Sequence, residues 1–425
     1  MARPGFLIFF TVAFSLYGVI NGYILMRGWP ASAWMRPASR RILLVLFLGA
    51  VLAYPLGRLF GRQFPPAVSD GLVLIGAFYL AFMVYFFLAL VLIDLFRCGR
   101  FMFRLFIKPE SRPAGIPVKP VFLILIGLVS LIVLLGHWNA RTLRVRTLNL
   151  SIPRQAGLLP ELTLVLASDL HLGRIIHNHR LEEIVALINR QNPDMVLLPG
   201  DLTDEDISFL AERNTAAVLK KIKAPLGTFA VTGNHEYYGG KNRAVAFLQQ
   251  GGIRVLEDEV VQVGGLLLAG RRDRTAGRFG EERKSLTDLL RGVPRESPLI
   301  LMDHQPFHLE EARQKGVELQ LSGHTHNGQL FPFNWVVGRL FETGWGYLEK
   351  GPTRVYVSCG VGTWGPPVRT SSVPEIVKIN LRFQGVGGDR SPAGSQPPPN
   401  RSPGRPPRPG PAAPGPGPAF APTGR

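Results

Sequence analysis

The sequence predicts an α/β domain carried behind an all-α, membrane-spanning N-terminal part. Four long uncharged stretches, residues 4–26, 42–57, 71–93 and 120–140, come first. Between residues 147 and 383, apolar β-rich runs then alternate with polar loops and amphipathic stretches. The loops that follow those runs gather carboxylate, imidazole and amide side chains into five short blocks: SDLHLG, PGDLTD, TGNHEYY, DHQP and SGHTHNGQ.

A bilayer core of ~30 Å needs about 20 helical residues, so the first, third and fourth stretches suffice as they stand. The second must extend through Arg58 to Phe60, giving 42–60, and it contains Pro55. A cleaved signal peptide is the alternative for the first stretch, but three more apolar runs follow it and no small-x-small cleavage site does. The expected organisation is a polytopic domain at 1–146, a catalytic domain at 147–383 and a tail at 384–425. That tail is a Pro, Gly, Ser and Arg mixture with too few large apolar residues to bury a core, and is expected to be disordered.

The net charge of +18 is unevenly placed. Residues 1–146 carry 16 Lys and Arg against 3 Asp and Glu, residues 147–383 carry 27 against 26, and residues 384–425 carry 5 against 1. A nucleic-acid enzyme would concentrate its surplus on the binding domain, so no nucleic-acid partner is expected. Lys and Arg in the loops after the first and third spans number ten against seven elsewhere around the spans. The positive-inside rule then makes this an integral, multi-pass protein of the cell membrane with its catalytic domain outside the cytoplasm. Cys98 and Cys359 suggest neither a disulfide framework nor a zinc knuckle.

Strands are expected at Leu162–Ala167, Met195–Leu198, Thr228–Thr232, Leu266–Ala269, Leu299–Met302 and Glu318–Leu321, most of them ending just before a block. Arg354–Ser358 and Glu375–Leu381 suggest a second sheet. Helical periodicity appears in Leu181–Ile188, Ile207–Ile222 and Ala244–Leu248. Loops at the carboxyl ends of neighbouring strands converge on one sheet edge, which places ligands distant in sequence side by side.

Seven residues of the blocks, Asp169, His171, Asp201, Asn234, His304, His324 and His326, offer the carboxylate, imidazole and amide donors that a pair of divalent cations needs. Asp169 and His171, two apart, would face one way if the strand continues through them. Asp201 is the natural bridge, since its two oxygens can each bind a cation. Asn234 supplies a neutral oxygen and leaves its neighbour His235 for proton transfer. Five of the nine histidines fall in these blocks, too many for independent surface or core positions. The mixed N/O set accepts Mn²⁺, Fe²⁺, Zn²⁺ or Co²⁺.

The order of the blocks resembles the calcineurin-like metallophosphoesterase superfamily over roughly residues 160–382. GNHEYY, SGHTHNGQLFPFN and GTWGPPVR are similar to its membrane-associated branch, which includes YaeI-like and YkuE-like phosphodiesterases and transmembrane proteins with a metallophosphoesterase domain. The resemblance implies a four-layer α/β/β/α sandwich. It implies one metal on Asp169, His171, Asp201 and His326, a second on Asp201, Asn234, His304 and His324, and His235 near the leaving group. Glu236 stands where the family usually has an acidic residue, and no ligand position is missing.

The expected activity is hydrolysis of a phosphoester, first a phosphodiester, by metal-activated water, with His235 and Asp201 as catalytic residues. Its partners would be membrane lipids and a lipid-linked or membrane-proximal substrate. A UDP-2,3-diacylglucosamine-type pyrophosphate is the alternative substrate, and a non-catalytic membrane-tethered scaffold the alternative function. Trp335, Trp345 and Trp364, with Phe331 and Phe333, would form either an apolar lip or ordinary core, and core packing is the preferred reading.

Overall fold

The computed structural model describes residues 4–106, 117–153, 159–204, 207–294 and 296–383. The tail at 384–425, and Arg3, Lys108, Arg112 and Arg154 of the charge count, lie outside the described residues.

Four helices open the chain: α1 Pro4–Ala31, α2 Pro37–Leu59, α3 Pro66–Arg104 and α4 Val118–Arg141. Proline begins α2 and α3, where its missing N–H would have had no intrahelical partner. Pro37–Leu59, Pro66–Phe103 and Val118–Arg141 are long and apolar enough to cross a membrane. The second stretch, doubtful in sequence, is thus helical through Pro55. Helix α3, with 39 residues, is about 58 Å long, nearly twice a bilayer core. It packs tightly on α2, because a Cβ on Gly76 would lie 2.3 Å from the backbone nitrogen of Tyr54.

Two six-stranded sheets follow. The first runs β1 (Arg144–Ile152), β12 (Glu375–Phe383), β2 (Glu161–Leu166), β3 (Met195–Pro199), β4 (Thr228–Val231) and β5 (Arg254–Val255). The second runs β10 (Gly346–Lys350), β11 (Thr353–Val357), β9 (Leu319–Ser322), β8 (Leu299–Met302), β7 (Leu266–Gly270) and β6 (Glu259–Val263). Strands β2 to β5 are mutually parallel, as are β7, β8, β9 and β11. Buried on both faces, β3 and β8 read as unbroken apolar runs.

Leu164, Leu197, Leu268, Ile300, Tyr356 and Ile379 belong to the core between the sheets. Helices α5 (Asn178–Asn189), α6 (Ser208–Glu212), α7 (Thr215–Leu219) and α9 (Lys241–Gln250) share a core with the outer face of the first sheet. Helices α10 (Leu286–Leu289) and α11 (Leu309–Gln314) share one with the second. This is the four-layer α/β/β/α sandwich.

Two elements differ from expectation. Residues 375–383 join the first sheet, because β12 pairs in parallel with β1 and antiparallel with β2. The periodic segment 207–222 breaks into α6 and α7 at Asn214, whose φ of 54° interrupts right-handed helix.

Candidate metal centre

The site lies where β2, β3, β4, β8 and β9 end. Strand β2 stops at Leu166, and Asp169 and His171 follow in left-handed backbone, with φ of 53° and 49°. They therefore share a side through a tight loop, and the continued strand expected from the sequence is absent there. Asp201, His324 and His326 also have positive φ, at 52°, 74° and 47°. Such conformations cost of order 1 kcal/mol each outside glycine, and their concentration here is the kind of strain that functional sites retain.

The side chains form two groups. In the first, His171 Nε2 lies 3.0 Å from His326 Nε2, and His326 Nε2 lies 3.7 Å from Asp169 Oδ1. In the second, His304 Nε2 is 3.1 Å from Asp201 Oδ2 and 3.3 Å from Asn234 Oδ1, with the His324 ring centred 5.1 Å from that of His304. Asp169, His171 and His326 could together hold an ion, as could Asp201, His304 and His324. His235 borders the first group, its ring centre 4.6 Å from that of His171.

Protonation sharpens the picture. Burial lowers His171 to about 3 and His324 to about 4, so these rings are neutral near pH 7. Burial, with His171 and Arg369 adding to it, depresses His326 as well. Burial and the nearby Asp201 raise Asp169 to about 6 against the opposing pull of His304. Burial would also raise Asp201 and lower His304, but their mutual attraction reverses both directions. Asp169 Oδ2 and His171 Nδ1 are buried without a hydrogen-bond partner. Neutral imidazoles facing nitrogen to nitrogen beside an unsatisfied carboxylate oxygen are the donors a divalent cation takes, so the residues fit the implied metals.

Several supporting residues carry no role in the sequence reading. The fully buried Glu236 accepts from the backbone N–H of Asp201, Leu202, Thr203 and Gly233 at 2.6–3.1 Å, tying the loop after β3 to the turn that starts α8 (Asn234–Gly239). Asp204 Oδ1 lies 3.1 Å from His235 Nδ1, while its Oδ2 accepts from Arg58 of α2 at 2.7 Å. Burial disfavours the Asp204 carboxylate, but Arg58 and His235 outweigh that and hold it below the usual range. Arg369, fully buried, donates to His326 Nδ1 at 3.1 Å and to the carbonyl of Cys359 at 2.8 Å. Its own backbone is held by α4, through Gly136 O at 2.9 Å and Asn139 Nδ2 at 3.0 Å. Asp204 and Arg369 stood visible in PGDLTD and GTWGPPVR, whereas Arg58 gave no signal beyond its charge.

The aromatic expectation needs correction. Only Trp345 is inside, half-buried, donating to Glu375 at 2.9 Å. Trp335 and Trp364 are 59% and 55% exposed, and Phe331 and Phe333 are exposed as well. Composition does not separate an aromatic that packs in a core from one that faces lipid.

The calcineurin-like phosphoesterase family model matches residues 162–328. An uncharacterized metallophosphoesterase of Aquifex aeolicus is 38% identical over 234 residues, 53% of this chain and 87% of that protein. YkuE of Bacillus subtilis, an uncharacterized metallophosphoesterase, is 30% identical over 51% of this chain and 77% of its own length. The transmembrane protein with metallophosphoesterase domain of Danio rerio is 37% identical over 52% of this chain, which spans about half, 53%, of that relative. With that degree of identity across most of the Aquifex protein, and the ligand loops inside the matched region, the chain belongs to the calcineurin-like metallophosphoesterases.

Proposed function

We propose that the chain is a membrane-anchored, dinuclear metal-dependent phosphodiesterase. The observation that carries this reading is the convergence of eight predicted residues, Asp169, His171, Asp201, Asn234, His235, His304, His324 and His326, from five loops onto one edge of the sandwich. Asp169, His171 and His326 would hold one cation, Asn234, His304 and His324 the other, and Asp201 would bridge. Bound there, two divalent cations supply Lewis acidity toward the phosphoryl group and its attacking water.

The chain's own groups then have separable tasks. Asp204 accepts from His235 Nδ1, which fixes the tautomer and stabilises the imidazolium. His235 gives its proton to the departing oxygen. Glu236 and Arg369 keep the ligand loops in place. Helices α2, α3 and α4 anchor the protein in the membrane as a multi-pass bundle. Contacts of the sandwich with Arg58, Asp70 and Asn139 support a common side for the α2–α3 connection, the end of α4 and the sandwich. The Lys and Arg distribution makes that side extracytoplasmic.

The test is hydrolysis by purified full-length protein of bis-p-nitrophenyl phosphate and p-nitrophenyl phosphate, with Mn²⁺, Fe²⁺, Zn²⁺ or Co²⁺. Faster turnover of the diester supports the proposal. No turnover with any cation favours the scaffold reading, and preference for the monoester overturns the diester assignment.

A further inference from the structure

Leu330 is buried in a cluster with Ala81 and Tyr85 of α3 and Val129 and Val133 of α4. The chain then turns outward. Phe331 is exposed, and α12 (Phe333–Leu340) follows with none of its residues buried. The half-buried Asn334 and Val337 lie on its inner side, while Trp335, Val336 and Leu340 are 59%, 51% and 65% exposed, with Arg339 the single charged residue of α12 beside them. A helix on a water-facing surface carries mostly polar residues outward, whereas here Arg339 alone is charged among large apolar side chains and its long stem can carry the charge away from them. Clustered exposed apolar side chains of this kind mark an interaction surface.

The position of this surface along the helices identifies what covers it. The sandwich grips α3 at Asp70, through Arg174 at 2.8 Å, and again at Tyr85, whose hydroxyl meets Thr370. Those fifteen residues of helix extend about 22 Å. The docking edge therefore descends alongside the apolar part of α3 instead of resting on its end. Phe331 N donates to the same Thr370 hydroxyl at 2.8 Å, which puts the start of the exposed segment at the level of Tyr85. Leu134, Leu135 and Trp138 of α4 are exposed near this level, because a Cβ on Gly136 would lie 2.8 Å from Thr370 Cγ2. The exposed apolar side chains of the segment and of α4 thus lie near one level along the bundle, both tied to Thr370.

We propose that Phe331–Leu340 is immersed in a lipid bilayer, lying in the boundary between headgroups and acyl chains beside α3 and α4. This rests on the reading of those helices as membrane spans. The segment begins five residues after His326, so immersion sets the rim of the metal centre at the membrane surface. Gln329 couples the segment to the opposite rim, donating to Trp364 O at 3.0 Å and accepting from Trp364 N at 2.9 Å. Trp364 stands with its ring centre 6.1 Å from that of His235.

The test uses full-length protein in nanodiscs of phosphatidylcholine and phosphatidylglycerol. In a Cys98→Ser background, Val336→Cys carries an environment-sensitive fluorophore, with Leu340→Cys as a second site and Gln250→Cys as the surface control. Labels at 336 and 340 are expected to be quenched at least threefold more by acyl-chain nitroxide lipids than the control, and less by aqueous iodide. Iodide quenching equal to the control overturns the proposal, as does a 336–336 crosslink between two copies. Protein that carbonate extracts from membranes defeats the spanning reading itself, whereas retained protein with water-exposed labels defeats immersion alone.

Discussion

Arg58 Nη2 lies 2.7 Å from Asp204 Oδ2, so the last turn of α2 ends on the carboxylate that holds His235. Removing one partner of a largely buried ion pair leaves the other charge uncompensated. Arg58→Ala is expected to reduce kcat about tenfold through His235 while metal content stays at two ions, and Arg58→Lys is expected to recover part of the loss. An unchanged kcat in Arg58→Ala would show that this contact only anchors the sandwich.

His235 and Asp201 should separate cleanly. General-acid assistance is typically worth about 10²- to 10⁴-fold, so His235→Ala is expected to slow turnover by that range with metals retained. Asp201→Ala is expected to lose metal and activity together. Elemental analysis beside kinetics checks both, and loss of both metals from His235→Ala contradicts its assignment to proton transfer.

Glu236 is an acceptor surrounded by backbone donors. Glu236→Gln turns an NH₂ toward buried N–H groups and is expected to cost about 2–4 kcal/mol. For a sandwich of this size the unfolding midpoint should fall by about 5–10 °C. A melting transition within a degree of the parent would show that the two loops hold without it.

Arg369→Lys keeps a charge but loses the planar fork that reaches His326 and the carbonyls around it. Outer-shell partners of metal-binding histidines typically contribute about 10- to 100-fold in affinity, and a Mn²⁺ titration is expected to show a loss in that range. Unchanged affinity would mean that the packing of α4 positions His326 unaided.

Protons compete with metal at Asp169, whose carboxyl is raised to about 6. Mn²⁺ affinity is therefore expected to hold level from pH 8 to 7 and to fall steadily below about pH 6. Without metal the sign reverses. The folded state binds the Asp169 proton more tightly than the unfolded chain does, so this group's contribution to stability grows as pH drops from about 6 toward 4. Calorimetric titrations across pH 5–8 check the first trend, and an affinity constant over the whole range would contradict it.

The clustering of the candidate ligands was legible because metal chemistry admits few side-chain types and each follows an apolar run. Asp169 and His171 were found for a reason that failed locally, since alternation along a strand is not what aligns them. Their left-handed backbone has no signature in an Asp-x-His spacing. The place of β12 was hidden because pairing with β1 is a contact across more than two hundred residues. Arg58 counted only as a charge beside an apolar stretch, and its partner became visible only with the helices packed. For Trp335 and Trp364 the preferred core reading failed, because both are exposed and composition alone does not tell a packed aromatic from one on the surface.

The sandwich is fastened to three helices at once. Arg58 of α2 meets Asp204, Asp70 of α3 takes Arg174 on one oxygen and Arg213 on the other, and Asn139 of α4 holds the Arg369 carbonyl. In a bilayer, three points of attachment remove rotation as well as translation. On the proposed spanning of α2 to α4, the ligand cluster would stand at one fixed height above the lipid midplane, and the domain would act as a ruler. For a lipid-linked phosphoester of the kind proposed, distance from the midplane would then select the bond before its chemistry.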